Sequence, residues 1–499
     1  MLQIKRTISC LVLFFTCTLS GVAGQQYPVR KTAITIKLSQ PVRSDSLQLI
    51  VFGHSYLEGL PTIHQVDMLT TTEPVADGIC HFVVDLEATP HYYLIKENQG
   101  SFIESKHIVL RKNILTGGDD VYIQIGGDST LDFSGKGARK MVRFNELPLW
   151  CSREEQSISK EIAAPVFPNK ELTYVYHYFE QTNRLSKLWM NRLADEKPLY
   201  SDEEYQLLLA DGVSYIQKSL IFAVEVKALL NKSFSRDEIG QITKLMDQKI
   251  IDLRSSVSES ILARSDNWIK FMDKWISVDQ KLKHDRSFSK YDYLKKNYSG
   301  GIRDKLTMLY LIKNAKYVAN VDSLAQDFIA TSQDESYTEL LSQVMHGRTK
   351  GKKAKDFALF DQYGNQVKLT DFYGKVVFLD FWFPGCFPCM KYFAETISYA
   401  EEKFKHNPDV IFISIGICSD KGKWMDALQT NKYTSPSAIN LFTGEAGWNH
   451  PVIMDYAITS APTPMVIDKS GHIFSTNSNE LGKGNKEKLI ETIDNCLAQ

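Results

Sequence analysis

An excess of charge of either sign is missing from this chain. Its 499 residues carry 58 Lys and Arg against 59 Asp and Glu, a net charge of -1. Nothing in that balance points to a nucleic-acid or other polyanionic partner. Cysteine is scarce, with eight residues in all. Cys10 and Cys17 fall in an apolar N-terminal stretch. The others are Cys80, Cys151, Cys386, Cys389, Cys418 and Cys496, too few for a disulfide scaffold. No second C-x-x-C and no His pair has zinc-ligand spacing, so the sequence proposes no metal and no other cofactor. Long apolar runs are confined to Ile8 through Leu19; no other segment reads as long and apolar enough to span a bilayer.

That apolar run follows Lys5 and Arg6 and precedes the small residues Ser20-Gly21-Val22-Ala23-Gly24. This is the shape of a secretory signal peptide over residues 1–24. The run is shorter than the roughly 20 residues of a membrane anchor. Cys17 follows Phe14-Phe15-Thr16, a poor lipoprotein pattern. Export to the periplasm or cell envelope is the expectation. In that oxidising compartment a working dithiol needs an electron source, or acts as an oxidant itself.

The length suggests about three domains. Residues 27–165 read as an antiparallel β-sandwich, with short β-branched and aromatic runs separated by turns such as Gly117-Gly118-Asp119-Asp120. Cys80 and Cys151 are candidates for a disulfide whose geometry the sequence does not settle. Residues 166–346 read as helical, entered at Pro165 and Pro168. Ser201 with Glu204, and Ser235 with Glu238, have capping-box spacing. Tyr174, Tyr178, Trp189, Trp268 and Trp275 fit a helical core better than a ligand cleft. Residues 347–353, basic and without periodicity, read as a solvated linker. Residues 354–499 form the last domain, so the fold class is multidomain α+β.

In that last domain Val376 through Trp382 is a nearly unbroken apolar run, the mark of a strand buried on both faces. It delivers Cys386-Phe387-Pro388-Cys389 to the start of an amphipathic segment containing Phe393, Ala394, Ile397 and Phe404. A thiolate at a helix start is favoured by unpaired amides and the helix dipole. Cys386 therefore reads as the attacking sulfur, and Cys389, one turn on and better covered, as the resolving one. Asp380 is a carboxylate inside the apolar strand. It reads either as the proton acceptor for Cys389 or as an Asp bonded to local polar groups. Pro462, in Ala461-Pro462-Thr463-Pro464, reads as a cis proline that brings the Ala461 backbone beside Cys386. The order β-α-β then β-β-α is that of a thioredoxin-like α/β domain.

Together, Asp380-Phe381-Trp382, Cys386 to Cys389, Pro462-Thr463, Val466 through Gly471 and Leu369 through Lys375 resemble the TlpA/ResA branch of thioredoxin-like thiol-disulfide oxidoreductases. The resemblance spans residues 354 to 499. It implies Cys386 as nucleophile, Cys389 as resolver, Asp380 as buried acid and Pro462 as cis proline. Trp382, Phe387 and Ala461 are the expected substrate contacts. The implied partners are a disulfide-containing protein and a membrane or periplasmic electron donor. Gly385 departs from the bulky residue usual before the first cysteine, and no His follows Cys386. Pro388 before Cys389 resembles the reductant pattern. The competing readings are a thiol peroxidase and an envelope binding protein with an accessory redox module. The residues Phe381 to Gly385 do not supply the Pro and the Thr or Ser that a peroxidase needs at set places before its reactive Cys. Cys418 ends a strand expected beside the active-site strand, where it reads either as a buried inert Cys, the simpler reading, or as a third thiol near the pair; Cys496 reads as structural or free.

Overall fold

The computed structural model describes residues 27–499 apart from 41, 43, 57–66, 99–107, 128–129, 163–165, 231–233, 284–287 and 319. The expected signal peptide and Pro165 lie outside the described residues.

The front of the chain folds as two four-stranded sheets. One has the order β4 (Ile79–Glu87), β1 (Val29–Leu38), β7 (Asp120–Ile125), β8 (Leu131–Lys136). The other has the order β3 (Met68–Pro74), β2 (Ser46–Phe52), β5 (Pro90–Glu97), β6 (Ile108–Thr116). All pairings are antiparallel except β1 with β7, which is parallel. Alternation sets the core: Ile34 and Ile36 of β1 meet Leu47, Leu49 and Val51 of β2. The opposite face of β2 and β5, with Ile50, Phe52, Tyr92 and Leu94, packs into the helical region. That double burial explains the continuous apolar runs in these strands.

The helical region begins at Ala138, not at residue 166. The helix Ala138–Ser159 starts directly after Gly137, which has a positive φ of 92°. Ala138 and Met141 cover the sandwich core, while Leu147, Cys151 and Ile158 belong to the helical core. This helix also separates the two candidate cysteines. Cys80 lies in the sandwich core and Cys151 in the helical core, both as buried thiols, so they form no disulfide.

The principal helices are Lys170–Glu196, Asp202–Val224, Arg236–Lys249, Asp266–Leu282, Gly300–Asn314 and Glu335–His346. Both capping boxes form as spaced. One helix contradicts the reading that no later segment could span a membrane. Asp202 to Lys227 is long and apolar enough, but most of it is buried within the protein, as in a core helix. Trp189 and Trp268 are buried in this core, whereas Tyr174 is exposed and stacks on Tyr178. Trp268 and Trp275 also line a cleft of about 200 Å³ with Ile250, Arg254 and Phe271.

Residues 347–353 are no solvated linker. Arg348 is buried and Nη2 donates to the Thr476 carbonyl at 3.1 Å. Gly351 N–H donates to Ile473 O at 2.8 Å, and Lys353 bridges to His472. The basic run is an extra edge fastened to the last domain, because its backbone groups find partners there.

That domain is one seven-stranded sheet, with the order β10 (Gln366–Lys368), β9 (Ala358–Asp361), β13 (Ile439–Phe442), β12 (Val410–Gly416), β11 (Val376–Trp382), β14 (Met465–Ile467), β15 (Ile473–Ser475). All seven residues of β11 are buried. Val377, Leu379 and Phe381 face one core, and Val376 and Phe378 face the other, under the helices Phe387–Tyr392 and Lys486–Leu497. Strand period places Asp380 on the Phe378 face.

Candidate active site

The β11 strand ends at Trp382, and the chain turns through Phe383-Pro384-Gly385 into a helix. Gly385 has a φ of 92°, a conformation that suits glycine and accounts for the missing bulky side chain. Cys386 is the N-cap residue of the helix Phe387–Tyr392, and its Sγ accepts the Cys389 N–H at 3.1 Å. Pro388 lies in the first turn, where a missing donor costs nothing. Cys386 and Cys389 are joined in a disulfide, with Cα atoms 5.3 Å apart.

Their exposure differs less than the roles require. Cys386 is 2 % and Cys389 1 % exposed, so in the oxidised form neither sulfur is the open one. What distinguishes Cys386 is its capping position and its neighbours. Phe387, adjacent to it, is 70 % exposed. The Ala461–Pro462 peptide is cis, and the half-exposed Ala461 places its carbonyl 3.9 Å from Cys386 Sγ. The loop is held by Thr463, whose N–H donates to Phe381 O at 3.3 Å.

Asp380 is buried on the helix-facing side of β11. Burial pushes its carboxyl up to about 7, opposed by the backbone N–H groups of Phe381 and Thr463 and by the charge of Lys316. Its Oδ1 has no hydrogen-bond partner among the described residues, and no hydrogen bond joins it to either sulfur. It borders a cavity of about 10 Å³ shared with Glu401, Ser414 and Thr434, close to the size of a single water.

Trp382 is not a substrate contact. It is fully buried, its Nε1 donates to Ser414 Oγ at 2.7 Å, and its ring lies against Tyr433. An indole facing inward from a central strand cannot reach a ligand. The half-buried Cys418 packs at the margin of the cluster holding Cys386 and Cys389, and its Sγ donates to Asp420 O at 3.3 Å. Cys496 is buried among apolar residues, which pushes its thiol up to about 12. Tyr433 and Lys316 escaped the sequence reading. Tyr433 lies on an irregular loop, and Lys316 comes from the helical region, so neither has a local signal. No group of three or more His, Cys, Asp or Glu among the described residues could hold a metal ion.

A strand, a helix-capping disulfide and a cis proline against it define a thioredoxin-like redox module. A family profile described as thioredoxin-like matches residues 374–473. The chain is 30% identical over 133 residues to the thiol-disulfide oxidoreductase ResA of Bacillus subtilis strain 168, covering 25% of this chain and 65% of that protein. It is 28% identical over 151 residues to ResA of Bacillus thuringiensis subsp. konkukian, covering 29% and 78%. Among solved structures, a Chlorobium tepidum protein described as a thiol:disulfide interchange protein DsbE covers 30% of this chain and 99% of its own, with 27% identity and a TM-score of 0.24. The chain thus spans just under two thirds of the B. subtilis relative. Its C-terminal part has a thioredoxin-like fold and is similar to thiol-disulfide oxidoreductases named ResA.

Proposed function

We propose that the protein is an exported thiol-disulfide oxidoreductase of the cell envelope that reduces disulfides in other proteins through Cys386 and Cys389. The observation that carries this is the helix-capping disulfide with the Ala461 carbonyl 3.9 Å from the Cys386 sulfur. An extended substrate would pair with the Ala461 backbone and present its disulfide to Cys386.

In the reduced enzyme the Cys386 thiolate attacks one sulfur of the substrate disulfide. A mixed disulfide forms and the first substrate sulfur leaves as a thiolate. Asp380, as carboxylate, takes the Cys389 proton through a bridging water. The Cys389 thiolate then attacks Cys386 Sγ, the second substrate sulfur leaves, and the Cys386–Cys389 bond re-forms. Two electrons pass to the substrate. An electron donor in the membrane or periplasm restores the dithiol. A carboxyl with its affinity near 7 suits a group that both takes and returns a proton near neutral pH.

The test is disulfide exchange by the full chain. Cys389→Ser should accumulate a mixed disulfide with a protein substrate such as insulin, and Cys386→Ser should not. The potential of the pair should lie near about -270 mV; a value near about -120 mV would reverse the direction to oxidant. A chain that neither traps insulin nor equilibrates with glutathione sinks the proposal.

A further inference from the structure

The helical region reaches into the redox site at one point. Lys316 lies in the turn after the helix Gly300–Asn314. Its Nζ donates to the Pro462 carbonyl and to Ser460 Oγ, both at 3.0 Å. Its backbone is fixed to the same domain, because the Lys316 carbonyl accepts the Ser478 N–H at 2.7 Å. The next residue repeats the attachment: Tyr317 O accepts from Asn479 Nδ2 at 3.2 Å, and the Tyr317 hydroxyl meets Lys483. These bonds tie a turn of one region to the two loops, 460–462 and 478–483, that flank the site.

Lys316 forms no ion pair with a carboxylate among the described residues; its hydrogen bonds go to a carbonyl and a hydroxyl. Yet a carboxylate is within its field, and that carboxylate is Asp380. The strand register explains why the cation has to come from elsewhere. The residue opposite Asp380 on β12 is Ser414, which carries no charge. The ionisable side chains set around Asp380 from the other packed elements include Tyr392 and Glu401, from the helical segments Phe387–Tyr392 and Ser398–Phe404, and Tyr433, from the loop after the helix Lys421–Gln429. None of these supplies a positive charge. Around Lys316 itself stand Arg348 and Lys483, both cationic.

We propose that Lys316 is a positioning residue of the dithiol site, holding the cis-proline loop through Pro462 and Ser460 and keeping Asp380 able to release its proton, so that the helical region is part of the redox unit. This rests on the role given to Asp380 above. Two effects follow from the geometry. The bond to the Pro462 carbonyl fixes the backbone next to Ala461, where substrate would pair. The ammonium charge favours the Asp380 carboxylate, which burial opposes. Burial and the charges of Arg348 and Lys483 in turn push Lys316 down to about 8.

The experiment uses the full chain with Lys316→Met, which removes charge and hydrogen bonds, and Lys316→Gln, which keeps a donor without charge. Lys316→Arg is the conservative rescue. The Asp380 carboxyl is titrated by 13C NMR in aspartate-labelled protein, with Asp380→Asn identifying the signal. The same variants are then followed for the pH dependence of mixed-disulfide resolution with insulin. Both neutral variants should move the carboxyl midpoint upward by about one pH unit, an approximately tenfold smaller ionised ratio at pH 6 to 7. The resolving step should move with it, and Lys316→Arg should return both to the parent values. If either neutral variant folds and keeps the parent midpoint, the proposal is wrong. A parent chain that does not exchange with glutathione would instead overturn the functional reading, while the carboxyl titration would still decide the claim about Lys316.

Discussion

Trp382 and Tyr433 lie flat on each other, with ring centroids 4.6 Å apart and planes 10° apart. The Tyr433 hydroxyl accepts the Gly385 N–H at 2.8 Å, so one side chain both covers the end of β11 and fixes the turn that leads to Cys386. Tyr433→Phe keeps the stack and loses the hydrogen bond. It should cost about 1 kcal/mol in urea unfolding. Tyr433→Ala removes the floor of the turn and should cost about 3–5 kcal/mol, in the range of other buried aromatic truncations. Equal losses in the two variants would show that the stack contributes nothing.

Asp380 is expected to destabilise the fold at neutral pH. Its carboxyl goes from an ordinary 3.8 to about 7 in the folded chain, with burial as the main cause. Between those values the folded state holds a proton that the unfolded state has lost, so stability falls as pH rises. At 1.36 kcal/mol per unit the loss is roughly 4 kcal/mol, complete just above pH 7. Asp380→Asn should abolish that slope and be the more stable chain at pH 8, while its resolving step loses the inflection near 7. Denaturation at pH 4, 6 and 8 reads the first effect; a parent and variant with parallel pH profiles would mean that Asp380 is ionised throughout.

The parts of this site that were readable in the sequence are those written in local pattern. β11 announces itself because a central strand is apolar on both faces, and the interruption of that run by Asp380 marks the residue as unusual. Cys386 and Cys389 are recognisable from their place at the strand-to-helix junction. The capping boxes at Ser201 and Ser235 are likewise contained within four residues. What escaped notice depends on distant partners. β3 carries Thr70-Thr71-Thr72 on a sheet edge, where no apolar alternation is needed. β6 mixes Arg111 and Lys112 into an apolar run, and Lys112 finds Asp266 of the helical region at 2.7 Å. The helix Ala138–Ser159 contains Pro148, which lowers its local signal although tertiary packing on two cores holds it. Trp382 was misplaced as a substrate contact because period 2 gives a side chain's face but not what covers that face. Lys316 was beyond reach for the same reason, since no spacing links it to Pro462.

Phe387, between the cysteines, is 70 % exposed, and a large exposed ring beside a reactive sulfur is suited to contact with a protein substrate. Phe387→Ala should leave urea stability within about 0.5 kcal/mol, as for other exposed positions. It should raise KM for insulin by roughly tenfold, the equivalent of about 1.4 kcal/mol of lost contact. Turnover with a small disulfide such as oxidised glutathione should change little. A parallel loss with both substrates would place the effect on the dithiol itself and not on substrate contact.

The junction between the sandwich and the helical region should loosen at alkaline pH. His54 is buried there with Nδ1 3.0 Å from Asp67 and Nε2 2.6 Å from Asp334, the residue that caps the helix Glu335–His346. Its carbonyl accepts Lys305 Nζ at 2.9 Å. Burial opposes a charge on the ring, but the hydrogen bonds to Asp334 and Asp67 outweigh it and raise His54 from 6.5 to about 9. The sign follows: a histidine that holds its proton more tightly when folded contributes its full stability below pH 6.5 and loses it as pH rises through about 9. The shift corresponds to roughly 3 kcal/mol. His54→Gln keeps a hydrogen-bonding group of similar reach and removes the titration. Thermal unfolding of both chains from pH 6 to 10 should therefore show a gap that is widest at pH 6 and shrinks towards pH 10. A gap that stays constant across that range would mean the ring is neutral, and the junction would then rest on the apolar contacts of Phe52, Tyr56 and Tyr92 with the helices.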